Sequence, residues 1–185
     1  MRELISYMFT SLDGFIADRE GGLDWAPIDD ELMRFANEYF ATMDGIVFGR
    51  NVYQGFVEYW DHLDPNAASE REVDFAGVFR DMTRIIVSTS LRELDPKAVL
   101  VADDVAGSIT AIKGQPGRDL LLICGPELRT TLTRAGLVDR HRVLVAPVVL
   151  GDGVPLFADV EAPILLRRTG TREFGGGVVM LDYEG

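Results

Sequence analysis

Asp44-Gly45-Ile46-Val47-Phe48-Gly49-Arg50-Asn51-Val52-Tyr53-Gln54 decides how the rest of the chain is read. Its apolar run Ile46-Val47-Phe48 is too short for a helix and stops at Gly49-Arg50, so it reads as a buried strand that delivers an arginine into a loop. In open α/β sheets ligands collect beyond the carboxyl ends of strands, and a guanidinium there is a planar, permanently charged fork suited to phosphate. Arg50 is therefore a candidate anion clamp, and a loop arginine that only meets solvent is the plainer alternative. Asn51 can cap a following helix that carries Val52, Tyr53 and Phe56.

Working outward, short apolar strands at 4–9, 46–48, 84–88, 98–102 and 119–124 alternate with helical patterns near 29–42, 73–79, 105–112 and 128–135. Asp13-Gly14 bends the first strand before Phe15-Ile16-Ala17. Residues 58–72, with Pro65 and Asn66, have no apolar period and read as a surface insertion. A long strand is expected over 142–150, with an irregularity at Pro147, and a closing hairpin over 163–169 and 177–183 around Gly175-Gly176-Gly177. The alternation predicts an α/β fold: a central mixed, mostly parallel sheet, helices on both faces, and a C-terminal antiparallel hairpin.

The chain has 185 residues, 47% of them hydrophobic and 26% charged, which suits a single domain over 1–185. A formal net charge of −12 argues against general nucleic-acid or anionic-membrane binding, so any phosphate site has to be local. The lone Cys124 excludes an internal disulfide, and His62 and His141 form no zinc-type cluster, so no metal is expected. Without a long apolar segment at Met1-Arg2-Glu3-Leu4-Ile5, the expected location is the cytoplasm.

The strand Asp119–Cys124 runs into Gly125-Pro126-Glu127-Leu128, where Pro126 suits a first helical turn. A helix beginning there places free backbone N–H groups at a strand end, where a diphosphate binds without basic side chains. Ser88, Thr89 and Ser90 end a β-branched strand and offer hydroxyls beside it, although a plain Ser/Thr-rich loop reads the same way. Cys124 reads as a small buried residue rather than a nucleophile.

Together with Ser11-Leu12-Asp13-Gly14-Phe15-Ile16-Ala17 and Leu150-Gly151-Asp152-Gly153-Val154-Pro155-Leu156-Phe157, the opening stretch resembles the dihydrofolate reductase-like superfamily. It is most similar there to stand-alone relatives of the C-terminal reductase domain of the riboflavin-biosynthesis deaminase/reductase. Gly136-Leu137-Val138-Asp139, a strand, and Pro147-Val148-Val149-Leu150-Gly151-Asp152-Gly153 carry the likeness further. It implies an NADPH-dependent reductase that passes a hydride to a C=N-type centre of a pterin or a ribosylaminopyrimidine, with dihydrofolate reduction or a catalytically inactive cofactor-binding homo-oligomer as alternatives.

The resemblance places Ile16, Ala17, Gly49, Arg50, Asn51, Ser88, Thr89, Ser90 and the 124–128 loop (Cys124, Gly125, Pro126, Glu127, Leu128) against the cofactor. It places Asp13, Trp25, Tyr53, Gly151 and Gly153 near the substrate, with Asp13 and Asp30 as orienting or proton-supplying acids. Counting back from Gly49-Arg50 puts the second acid nearer Met33, so two registers stay open. Val52 stands where dihydrofolate reductases have a threonine. Cys124 and Pro126 interrupt the usual glycine pair, where the family implies a cis peptide, at Cys124–Gly125 or Gly125–Pro126. The resemblance also implies a homodimer, for which the apolar 163–166 and 178–181 are candidate contact segments.

Overall fold

The structure, a computed structural model, describes residues 1–92, 95 and 98–185. The elements in order are β1 (Leu4–Thr10), β2 (Phe15–Ala17), α1 (Asp30–Phe40), β3 (Gly45–Gly49), α2 (Arg50–Trp60), α3 (Glu70–Asp81), β4 (Thr83–Val87), β5 (Ala98–Val101) and α4 (Val105–Gly114). They continue with β6 (Leu120–Ile123), α5 (Pro126–Arg134), β7 (Arg140–Val145), β8 (Val154–Pro155), β9 (Arg167–Glu173) and β10 (Val179–Glu184). An eight-stranded sheet has the order β5-β4-β3-β6-β1-β7-β10-β9, and β2 with β8 forms a separate pair. Strands β5 to β7 pair in parallel, whereas β10 is antiparallel to both neighbours.

Alternation along the strands sends side chains into two cores. Ile5, Tyr7, Ile46, Phe48, Ile86, Leu121 and Ile123 meet Leu32 and Phe40 of α1, Tyr53 of α2, and Phe75 and Phe79 of α3. On the other face, Leu4, Val47, Ile85, Leu120 and Leu122 meet Ile109 of α4 and Leu132 of α5. Because side chains alternate with a period of two, both cores act on register: a one-residue slip would exchange the two sets. Phe48 contacts the rings of Tyr53, Phe56 and Phe79, and so ties the end of β3 to α2 and α3.

Several elements depart from the sequence reading. Asp29 is the N-cap of α1, its carboxylate accepting the Leu32 N–H, so that helix starts one residue later than expected. Asn51 does not cap α2; the N-cap is Gly49, and Asn51 lies inside the first turn. The surface insertion is shorter than expected, since α2 runs through Trp60 and α3 begins at Glu70 behind a Ser69/Glu72 capping box. The strand expected over 142–150 covers Arg140–Val145, and residues beyond it lead to β8, which pairs with β2. The hairpin strand expected at 163–169 lies at Arg167–Glu173, while Val178 and Met180 complete the first core.

Candidate functional site

The parallel register sets Val47 beside Leu122 and Phe48 beside Ile123, and Gly49 beside Val87. The ends of β3, β4 and β6 therefore stop at one level. Beyond β3 the chain turns into α2 over the first core, and beyond β6 it turns into α5 over the second. Two adjacent parallel strands whose chains leave to opposite faces define a topological switch point, and a crevice opens between them. The helices that flank it begin at Gly49 and Gly125, and no side chain caps either one.

These N-termini lie side by side. A Cβ built on Gly49 would come 3.7 Å from Cys124 Cβ, 3.8 Å from the Gly125 nitrogen and 3.8 Å from Leu128 Cδ2. A side chain at position 49 would thus occupy the mouth of the crevice. Uncapped amides of two helices, converging at one strand end, make a place for an anion that needs no surplus of basic residues. The Glu127 carboxylate lies close to this entrance, with Oε2 3.4 Å from where a Gly125 Cβ would stand.

No peptide bond among the described residues is cis, so both Cys124–Gly125 and Gly125–Pro126 are trans, contrary to the expectation. Gly125 instead adopts the extended conformation of an N-cap, φ −66° and ψ 170°, and feeds Pro126 into the first helical position. Cys124 is buried, and desolvation pushes its thiol up to about 11, which matches a packing residue.

Arg50 opens α2, and its Nη1 donates to Ser90 Oγ at 3.0 Å. Ser88 Oγ accepts the N–H groups of Ser90 and Leu91, at 3.2 and 3.0 Å, and so shapes the turn rather than presenting a free hydroxyl. Thr89 and Ser90 are exposed. Sequence reasoning missed Arg92, whose Nη1 donates to the Thr89 and Leu91 carbonyls. Two guanidinium groups therefore flank the 88–90 turn in an otherwise acidic protein. The spacing Ser90-Leu91-Arg92 was the available signal.

A second group of expected residues gathers beyond β1. Asp13 accepts Ser11 Oγ at 2.7 Å, the Leu150 N–H at 3.1 Å and the Gly151 N–H at 2.7 Å. The Ser11 hydroxyl first, then the Gly151 and Leu150 amides, hold its carboxyl below the usual carboxylate range. It is an ionised acceptor, suited to positioning the 148–151 loop and not to giving up a proton near neutrality. Gly153, at φ +146°, lies so close to β2 that a Cβ would sit 2.2 Å from the Ala17 carbonyl oxygen. Ile16 is buried and Ala17 half-buried in the same pair of strands.

Other expected residues make no described hydrogen bond to these groups. Trp25 is half-buried, its Nε1 donating to the Gly22 carbonyl, and Asp30 is exposed in the first turn of α1. No described hydrogen bond joins either to the crevice or to Asp13. Met33, the alternative register for the acid, packs against the first core. Tyr53, expected at the substrate, is buried against Phe48 in that core, because its position on α2 faces the sheet.

A family model described as the RibD C-terminal domain matches residues 2–180. The chain belongs to that family. It is 32% identical to the uncharacterized protein YyaP of Bacillus subtilis (strain 168), over 98% of this chain and 94% of that protein. Among solved structures it is similar to a diaminohydroxyphosphoribosylaminopyrimidine deaminase/5-amino-6-(5-phosphoribosylamino)uracil reductase from Thermotoga maritima, with 17% identity and a TM-score of 0.67. That match covers 99% of this chain and 56% of the Thermotoga chain. A dihydrofolate reductase from Enterococcus faecalis, solved with NADP(H), matches at 15% identity and a TM-score of 0.66 over 98% of this chain and 95% of its own.

Membership of the RibD C-terminal domain family and the dihydrofolate reductase-like fold support an oxidoreductase of the reductase type. No helix among the described residues is long and apolar enough to cross a membrane.

Asp13 gives this site a pH signature. A carboxyl whose folded-state pKa is depressed stabilises the fold above its unfolded pKa, and that contribution disappears as pH falls through the folded value. The stability difference between wild type and Asp13→Ala should be full above about pH 5 and shrink as pH drops below about 4. Urea unfolding of both proteins across this range checks it, and a difference independent of pH would mean that the carboxylate does not hold the loop.

Proposed function

We propose that this chain is an NADPH-dependent reductase that adds a hydride to a C=N-type centre of a ribosylaminopyrimidine or pterin-like substrate. The single observation that carries the reading is the crevice between β3 and β6, with two uncapped helix N-termini and Arg50 at its rim. Bound there, NADPH would supply the hydride. The first-turn amides of α2 and those of Gly125, Glu127 and Leu128 would donate to its diphosphate. Arg50 and Ser90, with Arg92 beside them, would receive the 2′-phosphate. Ile16 and Ala17 of β2, with Gly151 and Gly153 opposite, would wall the reacting end. Asp13, held ionised, would fix that wall, and the proton for the substrate nitrogen would come from water.

The names of two similar proteins support the substrate class: the Thermotoga protein is a deaminase and 5-amino-6-(5-phosphoribosylamino)uracil reductase, and the Enterococcus protein a dihydrofolate reductase. NADPH oxidation with a ribosylaminopyrimidine and with dihydrofolate separates these two. Binding without turnover on either would favour the inactive cofactor-binding alternative.

A second copy of the chain is the partner that the resemblance implies. Leu165, 88% exposed, and the half-buried Leu166, Leu181 and Tyr183 offer apolar surface beside the hairpin. Light scattering at micromolar concentration should give a dimeric mass; a monomeric mass removes the idea.

Cofactor choice tests Arg50. NADPH and NADH differ by the 2′-phosphate, so removing a charge-assisted contact should weaken one and spare the other. Arg50→Ala should lower NADPH affinity roughly ten- to a hundredfold and leave NADH nearly unchanged. High salt should partly mimic the mutation. Titration of both cofactors into both proteins decides it, and an unchanged affinity ratio would mean that Arg50 serves only its loop.

A further inference from the structure

Arg129 faces inward from α5 and is completely buried. Its Nη2 donates to the Cys124 carbonyl at 2.6 Å, its Nη1 to the Leu156 carbonyl at 2.7 Å, and its Nε to Ser6 Oγ at 3.3 Å. All three acceptors are neutral, and no carboxylate among the described residues pairs with the guanidinium. A buried charge without a counter-charge is strongly unfavourable, and a neutral donor could make such bonds with less desolvation. The charge itself therefore asks for an explanation.

The acceptors show where it is aimed. The Cys124 carbonyl belongs to the peptide that leads into Gly125, the N-cap of α5. In a trans peptide the C=O and N–H point in opposite directions, so holding the carbonyl inward turns the Gly125 N–H outward, on the side where Gly49 approaches that nitrogen. Leu156 follows β8, and its own N–H donates to the Gly14 carbonyl at 2.8 Å. One guanidinium thus fastens the crevice floor to the wall built from the 13–17 and 151–157 segments.

We propose that Arg129 is a positioning residue for dinucleotide binding, a buried cation that orients the Gly125 amide and whose counter-charge is the diphosphate of the cofactor on the far side of the Cys124–Gly125 peptide. This rests on assigning the crevice to a dinucleotide. The titratable groups that face Arg129 stay neutral between about pH 7 and 9. Burial holds Cys124 up at about 11, and burial together with the Arg129 charge holds His141 down at about 4. The exposed Glu127 carboxylate lies at the same helix end.

The experiment compares NADPH, NADH and adenosine 2′-monophosphate, which carries the 2′-phosphate but no diphosphate. Arg129→Met should weaken NADPH and NADH by the same factor, at least about tenfold, and leave the monophosphate within about twofold. Arg129→Lys supplies the readout that a purely structural role would not move. Its NADPH affinity should stay near wild type at about pH 7 and fall at least about fivefold by pH 9, as the buried amine loses its proton, while wild type stays flat. Should Arg129→Met fail to fold, this profile decides alone. Equal losses for NADPH and the monophosphate, an unchanged NADPH affinity, or a flat profile in Arg129→Lys would each overturn the inference. A wild type that binds no NADPH would overturn the crevice assignment as well, and that is seen before any variant is made.

Discussion

The parallel pairing of β3 with β6 is the constraint on which the rest depends. It brings Gly49 close to Gly125, and the split of the following chains to opposite faces opens a gap beyond the strand ends where two helix N-termini converge. The two cores hold that register, since Ile46 and Phe48 are buried with the first and Val47 with the second. The same packing that stabilises the domain therefore sets the geometry of the site.

On the proposed reading, a chain of net charge −12 meets its anionic ligand through local charge alone. Helix dipoles contribute partial charges that are fixed by the backbone and do not depend on composition. Arg50 adds a screened, exposed charge, and Arg129 adds one that solvent does not screen. The acids that remain nearby have assigned partners or positions: Asp13 is bound by Ser11 and two loop amides, and Glu127 lies at a helix N-terminus, where a carboxylate is tolerated. Long-range repulsion by the acidic surface and short-range attraction in the crevice can coexist because salt confines the first to roughly a Debye length of about 8–10 Å.

Much of this was legible in the sequence, for identifiable reasons. The strands at 46–48 and 119–124 are short apolar runs with glycine stops, and a signal of that kind survives tertiary packing. Arg50 and Ser90 meet because both follow strands paired in register. Caps and local geometry were less legible. Asn51 looked like a cap because its type favours that role, yet the helix starts two residues earlier, at a glycine whose lack of a side chain leaves the amides open. The bonds on either side of Gly125 take the ordinary trans geometry where the resemblance implied a cis one, and Tyr53 is buried because its position on α2 faces the sheet. Arg129 was invisible because two of its partners lie far along the chain. Within Glu127-Leu128-Arg129-Thr130-Thr131 it looks like an ordinary surface arginine, and only contacts with Ser6 and Leu156 show it to be a core residue. The pairing of β2 with β8 was hidden in turn, since two short segments more than a hundred residues apart carry no local period.

The central claim is that the diphosphate of a dinucleotide binds between the first turns of α2 and α5. Amide-resolved NMR during an NADPH titration tests it directly, because hydrogen bonding to phosphate displaces the signals of the donating N–H groups. The amides of Arg50, Asn51, Gly125, Glu127 and Leu128 should shift together and saturate at one stoichiometry, with the same set responding to NADH. Saturable binding that leaves both groups of amides unmoved would contradict the account, because the cofactor would then lie elsewhere on the fold.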